Sequence, residues 1–155
     1  MQLQPSPRLR PAVAADAPRV AALLIAARAA FMPYAPSPHS EDDIRTWVSR
    51  TLFTNSRVIV AEIDAMIVGV AATEVDQEAS WITQMAVDPA RVGQGIGAAL
   101  LAHVLNALPR PIRLYTFQQN ERARRFYERH HFAPIKFSDG RDNEEKCPDV
   151  LYELK

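Results

Sequence analysis

Apolar positions change their period along this chain, and the changes mark out its elements. Val20, Leu23, Leu24, Ala27 and Phe31 recur at steps of three and four, one face of a helix, and predict a helix over residues 16–31. Asp16 stands where an N-cap is expected, with Pro18 in the first turn. Pro33, Pro36 and Pro38 force a loop. Ile44, Trp47, Val48, Thr51 and Leu52 then predict a second helix over residues 41–53, opened by Ser40 and Asp43 in a capping-box spacing with Asp for Glu.

β-branched and alternating runs follow, predicting strands over residues 57–63, 66–75 and 81–87. Asp64-Ala65 is a tight-turn position without glycine, Gly69 marks an expected bulge, and residues 76–79 are a polar turn. Leu100, Leu101, Val104, Leu105 and Leu108 place a helix over residues 95–108, stopped by Pro109 and Pro111. A strand over residues 112–117 comes next, parallel to 81–87 by the strand–helix–strand order. Asn120 caps a helix with Ala123, Phe126, Tyr127 and His130 on one face. Strands over residues 132–137 and 149–155 flank a charged loop, and residues 8–12 make a short edge strand carrying Pro11. The order β-α-α-β-β-β-α-β-α-β-β describes an α/β domain: a single layer of central mixed sheet flanked by helices, one domain over residues 1–155.

Composition narrows the partners. Eighteen basic and 18 acidic residues give zero formal net charge, which argues against a general electrostatic grip on nucleic acid. No apolar run approaches the roughly 18–20 residues of a membrane span. Residues 1–7, with Pro5 and Pro7, read as a frayed start; residues 1–11 show no apolar signal core, so a cytoplasmic protein is expected. A single cysteine, Cys147, excludes an internal disulfide and a multi-cysteine metal site, and no metal is expected. Lying in a polar loop without a histidine partner in view, Cys147 reads as an ordinary thiol.

The chemistry concentrates in residues 84–101. Gly93, Gly95 and Gly97, three of the chain's five glycines, stand at every second position between a strand and a helix. Such a turn tolerates positive φ and lets a ligand approach the backbone, while the helix start offers unpaired N–H groups to an anion, most plausibly a pyrophosphate. The spacing is not the dinucleotide G-x-G-x-x-G, no acidic residue follows in 113–117, and no Lys-Ser/Thr pair makes it a P-loop. The phosphates therefore belong to another ligand.

The run Met85-Ala86-Val87-Asp88-Pro89 with Gly93-Gln94-Gly95-Ile96-Gly97 resembles the acyl-CoA-binding motif of the GNAT superfamily of N-acetyltransferases. Residues 120–132, Asn120 through Phe132, resemble that superfamily's second motif, and Arg10-Pro11-Ala12 with Asp16 its usual opening. The resemblance implies acetyl-CoA as co-substrate and direct attack of a primary amine, from a small molecule or a peptide, on the acetyl carbonyl. By the same resemblance, Met85, Ala86 and Val87 offer backbone groups to pantetheine. Val92, Gly93, Gln94, Gly95, Ile96, Gly97 and Ala98 wrap the pyrophosphate. Asn120 bonds the pantetheine arm, with Ala123 beside it. Arg124 is the one arginine of its helix assigned to CoA phosphates; the other charges there read as a solvated face with Glu121–Arg125 and Arg124–Glu128 pairs. Tyr127 protonates the leaving thiolate.

The chain also departs from the pattern. Val92 stands where the family carries Arg or Gln, with Arg91 one residue early, and His131 replaces the usual glycine after the second motif. Trp81 and Thr83 occupy the positions that often hold the base and cannot serve. Glu74 is the substitute base, His39 the runner-up, and a water chain to solvent a third route. The acceptor pocket is expected from the two N-terminal helices and the loops over residues 33–40 and 138–148, with Trp47 and Trp81 in the core or pocket wall. The final strand could pair across a homodimer. The missing base leaves an alternative, a CoA-binding sensor or interaction module without catalysis.

Overall fold

The computed structural model describes residues 5–155, so residues 1–4 of the expected frayed start lie outside the described residues. The elements run β1 (Arg8–Pro11), a 3-10 turn (Ala14–Asp16), α1 (Ala17–Phe31) and α2 (Glu41–Trp47). A π-helical turn (Val48–Leu52) carries α2 into a last short turn, α3 (Phe53–Asn55). Then come β2 (Arg57–Ile63), β3 (Met66–Val75), β4 (Ser80–Val87), a 3-10 turn (Pro89–Arg91), α4 (Ile96–Ala107), β5 (Ile112–Phe117), α5 (Glu121–Arg129), β6 (Ala133–Ser138) and β7 (Asp149–Leu154). All seven strands join one sheet in the order β1-β2-β3-β4-β5-β7-β6. Among the described residues only β4 and β5 pair in parallel. The mixed sheet flanked by helices is the fold class expected.

Two cores sit on the two faces. On one, α4 and α5 cover Ile59, Val68, Ala71, Ile82, Leu114 and Tyr152. On the other, α1 and α2 cover Val58, Val60, Ile67, Val70, Ala72 and Ala86. Residues two apart in a flat strand share a face, yet Ile82 belongs to the first core and Ala86 to the second. The cause is a bulge. Ala72 faces Gln84 while Thr73 faces Ile82, which leaves Thr83 as an extra residue on β4. Its hydroxyl donates to the Ala72 carbonyl at 3.3 Å. A second bulge leaves Val68 extra on β3, beside the Gly69 that marked it in the sequence.

The β4 bulge positions the site. Ser80 and Trp81 pair with Ile112 and Arg113, and no further pair joins β4 to β5 among the described residues. The closed end is pinned: Ser80 Oγ donates to the Pro109 carbonyl at 2.6 Å, and Trp81 stacks on Tyr115 at 5.8 Å. Past Thr83 the strands separate, so the β5-facing edge of residues 84–87 is left without a strand partner.

Two local expectations change and two hold. Asp16 caps no helix N–H; its carboxylate accepts from the Val13 N–H at 2.8 Å and from Arg10, because the 3-10 turn puts Arg10 closer than the first turn of α1. Asp64 and Ala65 make the β2–β3 turn without glycine, both at positive φ (52° and 62°). The final strand, β7, lies between β5 and β6 with both edges bonded, so it cannot pair across a dimer; the outer strands are β1 and β6. His131, at φ 74°, takes the left-handed position expected there of the missing glycine.

Gly69 sets how closely α4 approaches the sheet. A Cβ there would meet Ile96 Cγ2 and Leu100 Cδ1, each at 2.9 Å. Gly69→Val is therefore expected to lower unfolding stability by about 1–3 kcal/mol, the usual cost of overpacking. Chemical denaturation checks this; an unchanged midpoint would mean the helix does not sit this close.

Candidate active site

The separation of β4 from β5 opens a cleft of about 950 Å³. Its floor is Gln84, Met85, Ala86 and Val87 of β4. One wall is α5, with Asn120, Ala123, Phe126 and Tyr127; the other is built from α1 and α2, with Leu24, Phe31, Ile44 and Trp47. Trp47 is thus pocket wall, whereas Trp81 stays outside, donating Nε1–H to Asp76 at 2.8 Å.

At one end lies the glycine turn. Gly93 and Gly95 have φ of 78° and 80°, and a Cβ at either would meet nothing within 4 Å. Glycine is needed here for conformation, not for room. The first hydrogen bond of α4 runs from Ala99 N–H to the Gly95 carbonyl at 3.0 Å, so the N–H groups of Ile96, Gly97 and Ala98 have no partner within the helix. Val92, Gly93, Gly95, Ile96, Gly97 and Ala98 all line the cleft; Gln94 does not. These donors and the positive end of α4 suit a pyrophosphate.

The arginines around this end differ from expectation. Arg91, Arg122, Arg125 and Arg129 line the cleft. Arg124 does not: its Nε donates to the Tyr152 hydroxyl at 3.0 Å and its guanidinium lies 5.6 Å from the Phe137 ring centre. The phase of α5 turns Arg124 toward β6 and β7, which also keeps it from the expected pair with Glu128. The Glu121–Arg125 pair does form, at 3.1 Å. Arg122 lies over the Phe31 ring at 4.7 Å and so bridges the two walls. The signal for this set was the 122, 125, 129 spacing at steps of three and four, with Phe126 beside it.

Tyr127 is 7% exposed, its ring held among Phe126, Phe132 and Tyr152 at 5.2–6.5 Å between centres. Its hydroxyl has no hydrogen-bond partner among the described residues, yet none of their side-chain oxygens is both sealed and unpartnered. The hydroxyl therefore keeps access to the cleft. Burial pushes its pKa well above the ordinary value near 10, so it holds its proton at neutral pH. Asn120 Oδ1 accepts from Ala123 N–H at 3.2 Å, capping α5, and Asn120 lines the cleft.

At the other end stand His39, Asp43, Glu144 and Glu145. His39 Nε2 lies 3.0 Å from Glu144 Oε2, and Arg28 Nη2 lies 3.4 Å from Glu145 Oε1. Glu74, the first choice of base in the sequence, is not in the cleft. It sits exposed near the far end of β3, opposite Trp81, and accepts from Ser56 Oγ at 2.8 Å. The antiparallel run of β3 carries it toward the closed end of the β4–β5 seam. The runner-up, His39, is brought in. Cys147 is buried without a basic partner, and burial raises its pKa.

A family model described as the Acetyltransferase (GNAT) family matches residues 24–132. The chain belongs to the GNAT acetyltransferase family. That stretch holds the β4 floor, the glycine turn and all of α5, which form most of the cleft. Solved GNAT-like folds agree. A GCN5-related N-acetyltransferase from Rhodopseudomonas palustris superposes with a TM-score of 0.78 at 16% identity, covering 100% of this chain and 99% of that one. PaiA N-acetyltransferase from Thermoplasma acidophilum, solved with coenzyme A, gives 0.77 at 16% identity, covering 97% and 99%. The ribosomal-protein-S18-alanine N-acetyltransferase of Escherichia coli gives 0.76 at 19%, covering 96% and 92%. No curated protein sequence matches the chain. The GNAT family carries out acetyl transfer from acyl-CoA, and the open strand edge, the glycine turn and the arginines fit that donor.

Gly95→Val would force a branched residue to positive φ at about 1–3 kcal/mol. Acetyl-CoA binding by calorimetry is expected to weaken about ten- to a hundredfold. Unchanged affinity would show that this turn does not hold the donor.

Proposed function

We propose that this protein moves the acetyl group of acetyl-CoA to a primary amine of a small molecule or peptide. The amine attacks the thioester carbonyl directly. The bond to sulfur breaks, Tyr127 gives its proton to the departing thiolate, and the amine loses a proton to His39. The observation that carries this is the Tyr127 hydroxyl: buried, protonated, without a partner, and on the wall facing the open edge of β4. An acid needs a proton and reach to the leaving group, and a phenol lining the cleft beside the β4 edge supports that reading.

The donor lies along the β4 edge, where Met85 and Val87 backbone groups add the pantetheine amides as an extra strand would. Its phosphates sit against residues 92–98 and the arginines of α5. His39 supplies the base that Trp81 and Thr83 cannot. A neutral ring that donates Nε2–H to Glu144 keeps its lone pair on Nδ1, and the carboxylate stabilises the imidazolium that forms. A peptide amine stays among the acceptors because the similar fold from Escherichia coli is a ribosomal-protein-S18-alanine N-acetyltransferase. Among the described residues no helix is long and apolar enough to cross a membrane.

Thiol release from acetyl-CoA across an amine panel tests the reaction. Tyr127→Phe is expected to lower kcat about 10²–10⁴-fold with acetyl-CoA affinity kept. Full turnover in Tyr127→Phe removes it as the acid, and tight CoA binding with no transfer to any amine would make the protein a CoA-binding module.

A further inference from the structure

The glycine turn does not hold its own shape. Among the described residues the N–H groups of Val92, Gly93, Gln94 and Gly95 reach no backbone acceptor. That leaves them free for an anion, and it leaves residues 92–94 without a backbone bond to fix them. The turn is therefore set from its two ends. One end is α4, where Ile96 is buried beside Gly69. The other is Asp88.

Asp88 is tied down on every side. Its N–H donates to the Val68 carbonyl at 2.8 Å, and its own carbonyl accepts from Arg91 N–H at 2.8 Å. Its Oδ1 accepts from Ala90 N–H at 3.0 Å. These bonds are local to the turn and the neighbouring strand. The remaining one is not: Oδ2 accepts from Arg19 Nη2 at 3.0 Å, and Arg19 lies on α1, 69 residues earlier. Arg19 also donates from Nε to the Ile67 carbonyl at 3.0 Å, next to the β3 bulge. One guanidinium thus joins α1, β3 and Asp88. Among the described residues it is the one side chain from outside the turn that hydrogen-bonds to residues 88–95. Its planar fork, held at both Nε and Nη2, sets direction as well as distance. Arg19 does not line the cleft, whereas Arg91, Val92, Gly93 and Gly95 do.

We propose that Arg19 is a positioning residue for the donor: through Asp88 it fixes the turn over residues 89–91, and with it the N–H groups of residues 92–95, in the arrangement that receives the pyrophosphate of acetyl-CoA. This rests on the donor reading above and adds to it a residue outside the cleft. Tyr127 and His39 stand on other elements, so the loss of Arg19 shows in donor binding and not in the chemical step.

The test titrates acetyl-CoA calorimetrically into the unaltered protein, Arg19→Met, Arg19→Lys, Asp88→Asn, the double variant Arg19→Met/Asp88→Asn, and Arg113→Met. Thiol release is followed in parallel with the best acceptor from an amine panel. Arg113→Met removes another half-buried ion pair, with Glu153 at 2.8 Å, and is the control for a purely structural loss. Arg19→Met and Asp88→Asn are each expected to raise the acetyl-CoA Kd and KM about three- to thirtyfold with kcat at saturating donor kept. The double variant is expected to bind no more weakly than the worse single one, because the two residues act as a unit. Arg19→Lys keeps the charge without the fork and is expected to recover part of the affinity. Arg113→Met is expected to lower the unfolding midpoint and leave Kd unchanged. Unchanged affinity in Arg19→Met, additive losses in the double variant, or an equal loss in Arg113→Met overturns the positioning role. Should Arg19→Met fail to fold, Arg19→Lys and Asp88→Asn carry the same comparison. An unaltered protein that binds no acetyl-CoA removes the donor reading and this role with it, and the first titration alone tells that outcome from the others.

Discussion

Two residue pairs, Ser80 with Ile112 and Trp81 with Arg113, hold the two halves of the sheet together. The rest of the site depends on where that pairing stops. If β4 stayed flat, its edge would be bonded to β5 and the cleft would be filled by backbone. Thr83 prevents this by adding one residue, bending the strand and exchanging its faces. Ala86 then packs under α1 while Met85 and Val87 turn toward α4, and the freed edge becomes a place for amides from a ligand. The same bend aims β4 into the glycine turn, so phosphate donors and the open edge share one cavity.

Charge is arranged along that cavity although the whole chain is neutral. The arginines come from α5 and the turn. The carboxylates come from α2 and from the 139–148 loop, which touches α1 only through folding. Under the proposed reading, an anionic donor lies against the arginines of this cavity.

Much of this was legible in the chain. Period and punctuation placed every strand and the main helices, though the helix expected over 41–53 breaks into α2, a π turn and α3, and the glycines with Asn120 and Tyr127 located the cleft. What escaped shares one cause: long-range geometry. Arg124 could not be told from Arg122, Arg125 and Arg129 until Tyr152, 28 residues away, claimed it. Glu74 looked nearer the motif than His39 in sequence, but an antiparallel strand carries it away and a loop 105 residues distant in sequence anchors His39. The place of β7 between β5 and β6 is likewise a topological fact with no local signal.

The most direct measurement is amide hydrogen exchange of the protein with and without acetyl-CoA. The account predicts new protection confined to the β4 edge, residues 85–87, and to the turn and first helical residues, 93–98, with the 139–148 loop unchanged until an acceptor is added. Protection that leaves 85–87 and 93–98 untouched would contradict it.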